Sequence, residues 1–329
     1  MDEIALNREA QPLALVTGAG GFIGRYLCAL LQRRGVRVRA LLRSERDGPW
    51  DESCIGDLGQ PLPDGAMTGV HWLFHLAAVV HDISGAGHGE AQYQEINVGG
   101  ARRLAKAAGS AGVKRVVFFS SIKAVGEGGQ GWDEDHPTAP VTAYGRTKRA
   151  AERLFLEGDW PFESVVIRPP MVFGNTRKGQ LPRMIQAVRK GYFPPLPERE
   201  NRRSMVHVQD LVEAALLAAR HEDAAGCIYM VDDGENYTPR RIFDWIREAL
   251  GMKPLGWSIP MVALRGMALA GDGAELLLRR RFPFNSEALG KLTEPAWFDS
   301  GRIRRELGYV SRRNLRDALP EMIHYLELP

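Results

Sequence analysis

Short apolar runs alternate with amphipathic stretches through the first half of the chain. This alternation is typical of parallel strands covered by helices on both faces of a sheet. The apolar runs predict strands at residues 13–16, 36–42, 71–76, 115–120, 163–168 and 227–231. The amphipathic stretches predict helices at residues 22–34, 95–108, 144–157 and 206–219. The first half is therefore expected to form a doubly wound α/β sheet.

The alternation ends at residue 169. A loop rich in proline and charge covers residues 194–203, and beyond residue 235 the pattern predicts helical pieces joined by Gly and Pro. We expect the sheet domain to comprise residues 12–168 and 206–235, and a smaller, mostly helical C-terminal lobe to comprise residues 169–205 and 236–329. Residues 1–11 are expected to be an N-terminal tail.

The composition excludes several classes of protein. The 329 residues are 44% hydrophobic and 25% charged, which is the balance of a globular chain. A net charge of +3, without a basic face interleaved with aromatic residues, argues against nucleic-acid binding. The three cysteines, Cys28, Cys54 and Cys227, have no metal-binding spacing, so they are expected to be reduced and no metal site is predicted.

No segment predicts secretion or a membrane span. The N-terminal residues 1–11 contain no apolar run, so they are not a signal peptide, and we expect a cytoplasmic protein. The longest apolar stretch, residues 259–270, is interrupted by Arg265 and is too short to cross a bilayer. The wider stretch 259–278 predicts a core helix, with a membrane-surface or partner groove as the alternative.

A glycine-rich segment, Thr17–Gly24, follows the first predicted strand and opens the first predicted helix. Gly18 permits a tight turn, Gly21 lets backbone N–H groups approach a diphosphate, and Gly24 lets the helix pack closely on the strand. Phe22 and Ile23 begin the helix, whose N-terminus offers partial positive charge and free donors. This context predicts a Rossmann-type dinucleotide site.

The end of the second strand indicates which dinucleotide binds. A site that prefers NAD places an acid here for the ribose 2′-hydroxyl, whereas this strand ends in Arg43. Arg43 is suited to a 2′-phosphate, so we expect NADP, with NAD as the alternative. Asp57 is expected either to reach the adenine amino group or to be a turn acid.

Tyr144 and Lys148 are four residues apart on a predicted helix, so both project from one face. A phenol ionises near pH 10, and a nearby ammonium together with an oxidised nicotinamide would lower that pKa. Ser121, at a strand end, can hydrogen-bond the substrate oxygen. These three residues predict acid–base catalysis at a carbonyl or alcohol.

Together these motifs resemble the extended short-chain dehydrogenases/reductases, also called the NAD-dependent epimerase/dehydratase family, over nearly the whole length. Besides the glycine segment and the Tyr144–Lys148 pair, the resemblance is carried by His75-Leu76-Ala77-Ala78, Asn97-Val98, Ser120-Ser121, Arg168-Pro169-Pro170 and the segment 203–210. It implies that Tyr144 is the acid/base, that Lys148 holds the nicotinamide ribose and that Ser121 polarises the substrate. It also implies that Leu58, Leu76, Ala77, Ala78 and Pro170 contact the cofactor.

Within that family the chain looks most like bacterial nucleotide-sugar 4-keto reductases and 4-epimerases of surface-polysaccharide pathways. The resemblance places Lys123, Met171 and Arg203 at the substrate, with Arg203 at a position that contacts the diphosphate in sugar epimerases. Met171 replaces an asparagine that many epimerases carry. Dehydratases have Asp-Glu after the catalytic hydroxyl residue, and Ile122 and Lys123 stand there instead, which argues against dehydration.

We therefore expect reversible hydride transfer at a sugar carbon, with C4 and a 4-keto reductase favoured, the latter because of Arg43. The alternatives are a UDP-hexose 4-epimerase, a reductase or dehydrogenase of steroid-like or flavonoid-like alcohols, and a redox-sensing regulator; the last is disfavoured because Tyr144 and Lys148 are both present. Many family members are dimers, so a homodimer is expected. The loop 79–89, which contains His81, Asp82 and His88, could close over the substrate.

Overall fold

The computed structural model describes residues 11–80, 89–278, 282 and 284–328. Within these residues the strands are β1 (Leu13–Thr17), β2 (Arg37–Leu42), β3 (Glu52–Ile55), β4 (Val70–His75), β5 (Arg115–Phe119), β6 (Gln130–Trp132), β7 (Glu163–Arg168), β8 (Met171–Phe173), β9 (Met205–His207), β10 (Ile228–Met230) and β11 (Trp297–Phe298).

The α-helices of the same residues are α1 (Phe22–Arg33), α2 (Glu90–Tyr93), α3 (Gly100–Ala111), α4 (Ala143–Glu157), α5 (Gln180–Arg189), α6 (Val208–Arg220), α7 (Pro239–Ala249), α8 (Met261–Leu278), α9 (Ser286–Thr293), α10 (Gly301–Leu307) and α11 (Leu315–Glu327). A π-helical segment, Gln94–Gly99, joins α2 to α3. Two short 3₁₀ helices cover Ile122–Ala124 and Glu222–Ala224.

The main sheet has seven parallel strands in the order β10-β7-β5-β4-β1-β2-β3. Its apolar strands pack on both faces: one cluster includes Leu27 of α1 and Leu211 of α6, and the other includes Leu104 of α3 and Ala151 of α4. The expected Rossmann-type sheet is therefore confirmed. The chain runs outward in opposite directions from β1 and β4, so a crevice forms at their carboxyl ends, where ligands of such folds bind.

The second half of the chain adds small pairings and helices to this sheet. Strand β8 pairs in parallel with β9, and β6 pairs in parallel with β11. A separate apolar cluster forms among α5, α7 and α11, with Ile185, Phe243 and Leu319 in its centre. The predicted mostly helical C-terminal lobe agrees with these elements.

The structure corrects several predicted boundaries. The helix predicted at 95–108 belongs to a continuous helical stretch that begins at Glu90 and ends at Ala111. The helix predicted at 206–219 begins at Val208, because His207 is extended and its Nδ1 accepts the Gln209 N–H at 3.3 Å as an N-cap. Strand β3 was not predicted, since its residues alternate between half-buried and exposed at the sheet edge.

Candidate active site

The glycine-rich turn between β1 and α1 is shaped by contacts that leave no room for side chains. Gly18 has φ +73°, and a Cβ there would lie 2.9 Å from Ala77 N. A Cβ at Gly24 would lie 2.2 Å from Gly18 O. Gly21 is the N-cap of α1 and has no side chain to occupy the first N–H groups of the helix. The turn therefore fits a dinucleotide diphosphate, which needs close backbone approach and free donors.

The chain after β4 is held against this turn by Thr17. The Thr17 hydroxyl accepts the Ala77 N–H at 3.1 Å and lies 2.8 Å from His75 Nδ1. Burial, and the charge of Lys148, lower the pKa of His75 to about 3, so the ring is neutral. The neutral ring of His75 therefore holds the chain after β4 at the glycine turn, where the backbone of Leu76 and Ala77 lies against Gly18.

Two arginines, Arg43 and Arg46, lie in the loop that follows β2. Arg43 is exposed and follows the last strand residue directly. Arg46, which sequence reasoning missed, lies across Gly20: a Cβ at Gly20 would be 3.0 Å from Arg46 Cδ. The signal was a second arginine three residues after the first in the same loop. The guanidinium of Arg46 thus lies beside the glycine turn, and Arg43 lies three residues earlier in the same loop.

The two residues expected near the adenine have other contacts. Asp57 Oδ1 accepts the Gly59 N–H at 2.7 Å, which agrees with the turn-acid alternative. Leu58 is buried, and its carbonyl accepts from Arg103 Nε at 2.8 Å. The carboxylate of Asp57 retains a second oxygen on an exposed residue, so the turn does not exclude a contact with a ligand.

Helix α4 brings Tyr144 to Ser121. Thr142 caps the helix by accepting the Gly145 N–H at 3.2 Å. Gly145 allows the helix to approach the loop after β5, since a Cβ there would lie 2.4 Å from Lys123 O. The side chains of Ser121 and Tyr144 are hydrogen-bonded to each other. The pair of hydroxyl groups predicted from sequence therefore meets in space.

Lys148 lies one turn further along α4 and is buried. Its Nζ donates to Phe119 O at 2.7 Å and is 6.0 Å from the ring centroid of Tyr144. Burial lowers the pKa of Lys148 to about 7, and the charge of Glu152 opposes this shift. Burial also raises the pKa of Tyr144 to about 12, which the hydrogen bond with Ser121 partly offsets.

The pKa of Tyr144 thus differs from the lowering expected from a neighbouring ammonium. The reason is that both groups are removed from water, which penalises phenolate and ammonium alike. The chain by itself presents a protonated phenol at neutral pH. A proton donor to a forming alkoxide is therefore the role that Tyr144 is prepared for.

A buried ionic network supports α4 and was missed by sequence reasoning. Glu152 accepts from Arg168 at 2.8 and 2.7 Å and from Ser120 Oγ at 2.5 Å. The side chains of Glu152 and Arg168 are 0% and 1% exposed. The signal was the spacing of Tyr144, Lys148 and Glu152, each four residues from the last on one helix face. The network ties α4 to the ends of β5 and β7.

Asn97 fixes the segment after β4 to the same helix. Its Oδ1 accepts the Val79 N–H at 2.8 Å, and its Nδ2 donates to Thr147 Oγ1 at 3.1 Å. The loop suggested as a cover for the substrate continues from there, but its residues 81–88, including His81, Asp82 and His88, lie outside the described residues.

Lys123, Met171 and Arg203, which were expected to contact the substrate, lie in different parts of the structure. Lys123 forms an ion pair with Glu127 and is partly exposed next to Ser121. Met171 is half-buried in β8, and Ile122 N donates to Pro169 O at 3.3 Å, which brings Pro170 alongside Ser121.

The side chain of Arg203 contacts the end of a helix. Its guanidinium donates to the carbonyl oxygens of Lys291 and Glu294, the latter at 3.0 Å, at the end of α9. Burial lowers its pKa. Its backbone pairs with Tyr237 in both directions. The side chain thus holds α9 in place, a role that the sequence alone does not reveal because the contact is non-local.

Metal binding needs a cluster of ligand side chains, and a membrane span needs a long apolar helix. Across residues 11–80, 89–278, 282 and 284–328, no group of three or more His, Cys, Asp or Glu side chains is arranged to hold a metal ion. In the same part of the chain, no helix has both the length and the apolar character needed to cross a bilayer.

The chain was compared with known proteins. The NAD dependent epimerase/dehydratase family matches residues 14–231. The chain is 32% identical to the 4-hydroxy-2-methyl-3-oxo-4-farnesyl-3,4-dihydroquinoline-1-oxide ketoreductase of Stigmatella aurantiaca, over 90% of this chain and 91% of that protein. It is 31% identical to the UDP-glucose 4-epimerase of Vibrio cholerae, over 78% and 80%. Among solved structures, MoeE5 in complex with UDP-glucose and NAD has a TM-score of 0.74 and 26% identity, covering 95% of this chain and 97% of that chain.

Proposed function

The chain belongs to the NAD-dependent epimerase/dehydratase family, and we propose that it reduces a keto group of a nucleotide-linked sugar, at C4, with NADPH. The observation that carries the proposal is the hydrogen-bonded pair of Ser121 and Tyr144, with Lys148 buried beside it. The assignment of an NAD(P)-dependent enzyme of the short-chain dehydrogenase/reductase type rests on the family match and on the relatives.

The residues divide the chemistry among them. Tyr144, protonated at neutral pH, donates the proton that a forming alkoxide requires, and Ser121 hydrogen-bonds the same oxygen. Lys148 holds the ribose and supplies positive charge beside the phenol. The nicotinamide, when bound, supplies or accepts the hydride. Gly18, Gly21 and Gly24, with Leu76, Ala77 and Ala78, would hold the dinucleotide.

The reductase is favoured over a 4-epimerase by two observations. Arg46 places its guanidinium beside Gly20, and Arg43 is exposed three residues earlier in the same loop, so the pair suits the 2′-phosphate of NADPH. The high pKa of Tyr144 suits proton donation, whereas an epimerase must also use the phenolate as a base. A sugar substrate is supported by the epimerase relative and by the likeness to MoeE5.

The cofactor proposal is tested by the ratio of kcat/KM for NADPH to that for NADH. We expect the ratio to exceed one in the wild type and to fall roughly 10-fold or more in R43A, since a charged hydrogen bond contributes about 1.5–3 kcal/mol. R33A, at the far end of α1, is the control. A wild type that prefers NADH, and holds it through gel filtration, would favour the epimerase.

A second candidate is a reductase of an apolar ketone or alcohol. It is favoured by Met171 at the position that is asparagine in many epimerases and by the engagement of Arg203 with α9. The relative from Stigmatella aurantiaca, whose name describes a farnesylated ketone as substrate, supports it as well.

Calorimetric titration with UDP separates the two candidates. A nucleotide-sugar enzyme is expected to bind UDP in the presence of NADP⁺, because the nucleotide provides much of the substrate's binding energy. No binding at millimolar UDP would remove the nucleotide-sugar proposal and leave the apolar substrate.

We also propose the division into a cofactor domain (residues 12–168 and 206–235) and a substrate lobe (169–205 and 236–329). The protein is proposed to be a cytoplasmic homodimer. Light scattering of the purified chain tests the dimer, and a mass of about 36.5 kDa would contradict it.

A further inference from the structure

Helix α8 presents an apolar surface to solvent. Val262, Leu269 and Leu276 are 81%, 66% and 85% exposed. They follow each other at intervals of seven residues and therefore lie along one face of the helix. The opposite face carries Leu264 and Ala268, both 0% exposed, which pack against the lobe. The solvent face of α8 thus carries large apolar side chains, as its packed face does.

This arrangement differs from that of an ordinary surface helix, whose solvent face is polar. The two acids of α8 turn toward the protein: Asp272 Oδ1 accepts the Ser286 N–H at 3.1 Å, and Glu275 Oε1 accepts from Asn285 Nδ2 at 3.1 Å. Within α8, which is described throughout, Arg265 is the charged residue that is exposed. The surface therefore combines leucine and valine side chains with an exposed arginine, while both acids of the helix are hydrogen-bonded to residues that follow it.

The flanking sequence strengthens both features. Three arginines, Arg279–Arg281, follow α8 directly in the chain. Trp257 before the helix and Phe282 after it are 58% and 46% exposed. Apolar side chains bounded by arginines and aromatic residues are the composition of helices that lie in a membrane interface. Eighteen residues span about 27 Å, and this helix is not apolar enough to cross a bilayer.

We propose that α8 docks flat on an anionic lipid surface, with the apolar face (Val262, Leu269, Leu276 and Leu277) among the acyl chains and Arg265 at the headgroups. Charge complementarity selects this occupant. In a two-fold dimer the same patch meets itself, and because residues 257–285 contain four arginines and two acids, both copies would bring net positive charge. An anionic bilayer supplies the missing negative charge.

The proposal is tested by co-sedimentation of the purified full-length chain with vesicles. Phosphatidylcholine vesicles containing about one third phosphatidylglycerol are compared with phosphatidylcholine alone. We expect binding to the anionic vesicles that weakens in high salt, and about a tenfold or greater loss of binding in L276D/L277D. V310D is the matched control, because Val310 is 72% exposed and lies outside α8.

The remaining outcomes are equally decisive. An unchanged NADPH titration shows that L276D/L277D is folded, so its loss of vesicle binding would then support docking through α8. Absence of wild-type binding to anionic vesicles would overturn the proposal. A wild-type dimer that becomes a monomer in L276D/L277D, without vesicle binding, would also overturn it and assign the patch to a second copy. This test does not involve turnover, so it stands apart from the proposed reaction.

Discussion

Helices α4 and α8 depart from the usual amphipathic pattern in opposite directions. Helix α4 places two charged side chains, Lys148 and Glu152, against the sheet, where both are almost fully buried. Helix α8 places Leu276 and Val262 in solvent. Helix α4 thus has buried charges, and helix α8 has an exposed apolar surface.

Neither the buried charges of α4 nor the exposed apolar side chains of α8 add to the stability of the fold. Burying a charge costs free energy that pairing only partly returns, and exposing leucine forgoes about 25 cal/mol per Å² of apolar surface. Features of this kind are retained where they serve a ligand or a partner. On this account α4 serves the reaction and α8 serves a lipid surface.

The largest expected effect is that of Y144F on the reaction. Removing the hydroxyl leaves the ring in place but removes the proton donor, so we expect turnover to fall roughly 10²–10⁴-fold. NADPH affinity, measured by fluorescence titration, should stay near the wild-type value. Y192F, at an exposed tyrosine, serves as the control. Equal turnover in Y144F and wild type would contradict the assignment of Tyr144.

The next effect concerns the charge buried under α4. E152Q leaves the guanidinium of Arg168 without its carboxylate in the protein interior, and we expect a loss of about 3–5 kcal/mol in the free energy of unfolding. E157Q removes an exposed pair with Arg153 on the same helix and should cost less than about 1 kcal/mol. Urea unfolding measures both variants. Similar losses in the free energy of unfolding for E152Q and E157Q would show that the buried ionic network stabilises the fold no more than an exposed ion pair.

The third effect is the pH dependence of the free energy of unfolding that arises from His75, whose pKa the charge of Lys148 helps to lower. The pKa of His75 is lowered to about 3, so between pH 6.5 and 3 the unfolded chain binds a proton that the folded chain does not. Stability must therefore fall as the pH is lowered, by about 2 kcal/mol from pH 7 to pH 5 for this residue. H75Q should flatten that part of the profile in urea unfolding. An identical slope in H75Q and wild type would assign the acid sensitivity to other groups.

The smallest effect belongs to the surface of α8. Leu276 is 85% exposed, so L276S should change the free energy of unfolding by no more than about 0.5 kcal/mol. The same unfolding assay measures it. A loss well above 1 kcal/mol would mean that Leu276 is covered in solution without lipid, which would remove the contrast with α4.

Much of the sheet could be predicted because its signals are local. Strands such as Leu13–Thr17 contain continuous apolar runs, and the glycine segment lies between a strand and a helix. The short pairs β8–β9 and β6–β11 could not be predicted. Each joins residues far apart in the chain, and three-residue strands leave no periodicity to detect.

In the candidate site, too, features with local sequence signals could be predicted, and features that depend on distant segments could not. The meeting of Tyr144 with Ser121 followed from helical spacing and the position of strand ends, since parallel strands end at one edge of the sheet. The pKa of Tyr144 and the contacts of Arg203 could not be derived, because both depend on how completely distant segments cover these side chains. Glu152 could have been found, as it continues the four-residue spacing of Tyr144 and Lys148.

The most direct measurement uses NADPH deuterated at C4 of the nicotinamide, with a nucleotide-linked 4-keto-hexose as substrate. Mass spectrometry of the product reports whether one deuterium has been transferred to carbon. We expect one deuterium per molecule of product with the wild type, and the same product formed at a greatly reduced rate in Y144F. An alcohol product without deuterium, or equal rates for the two proteins, would contradict it.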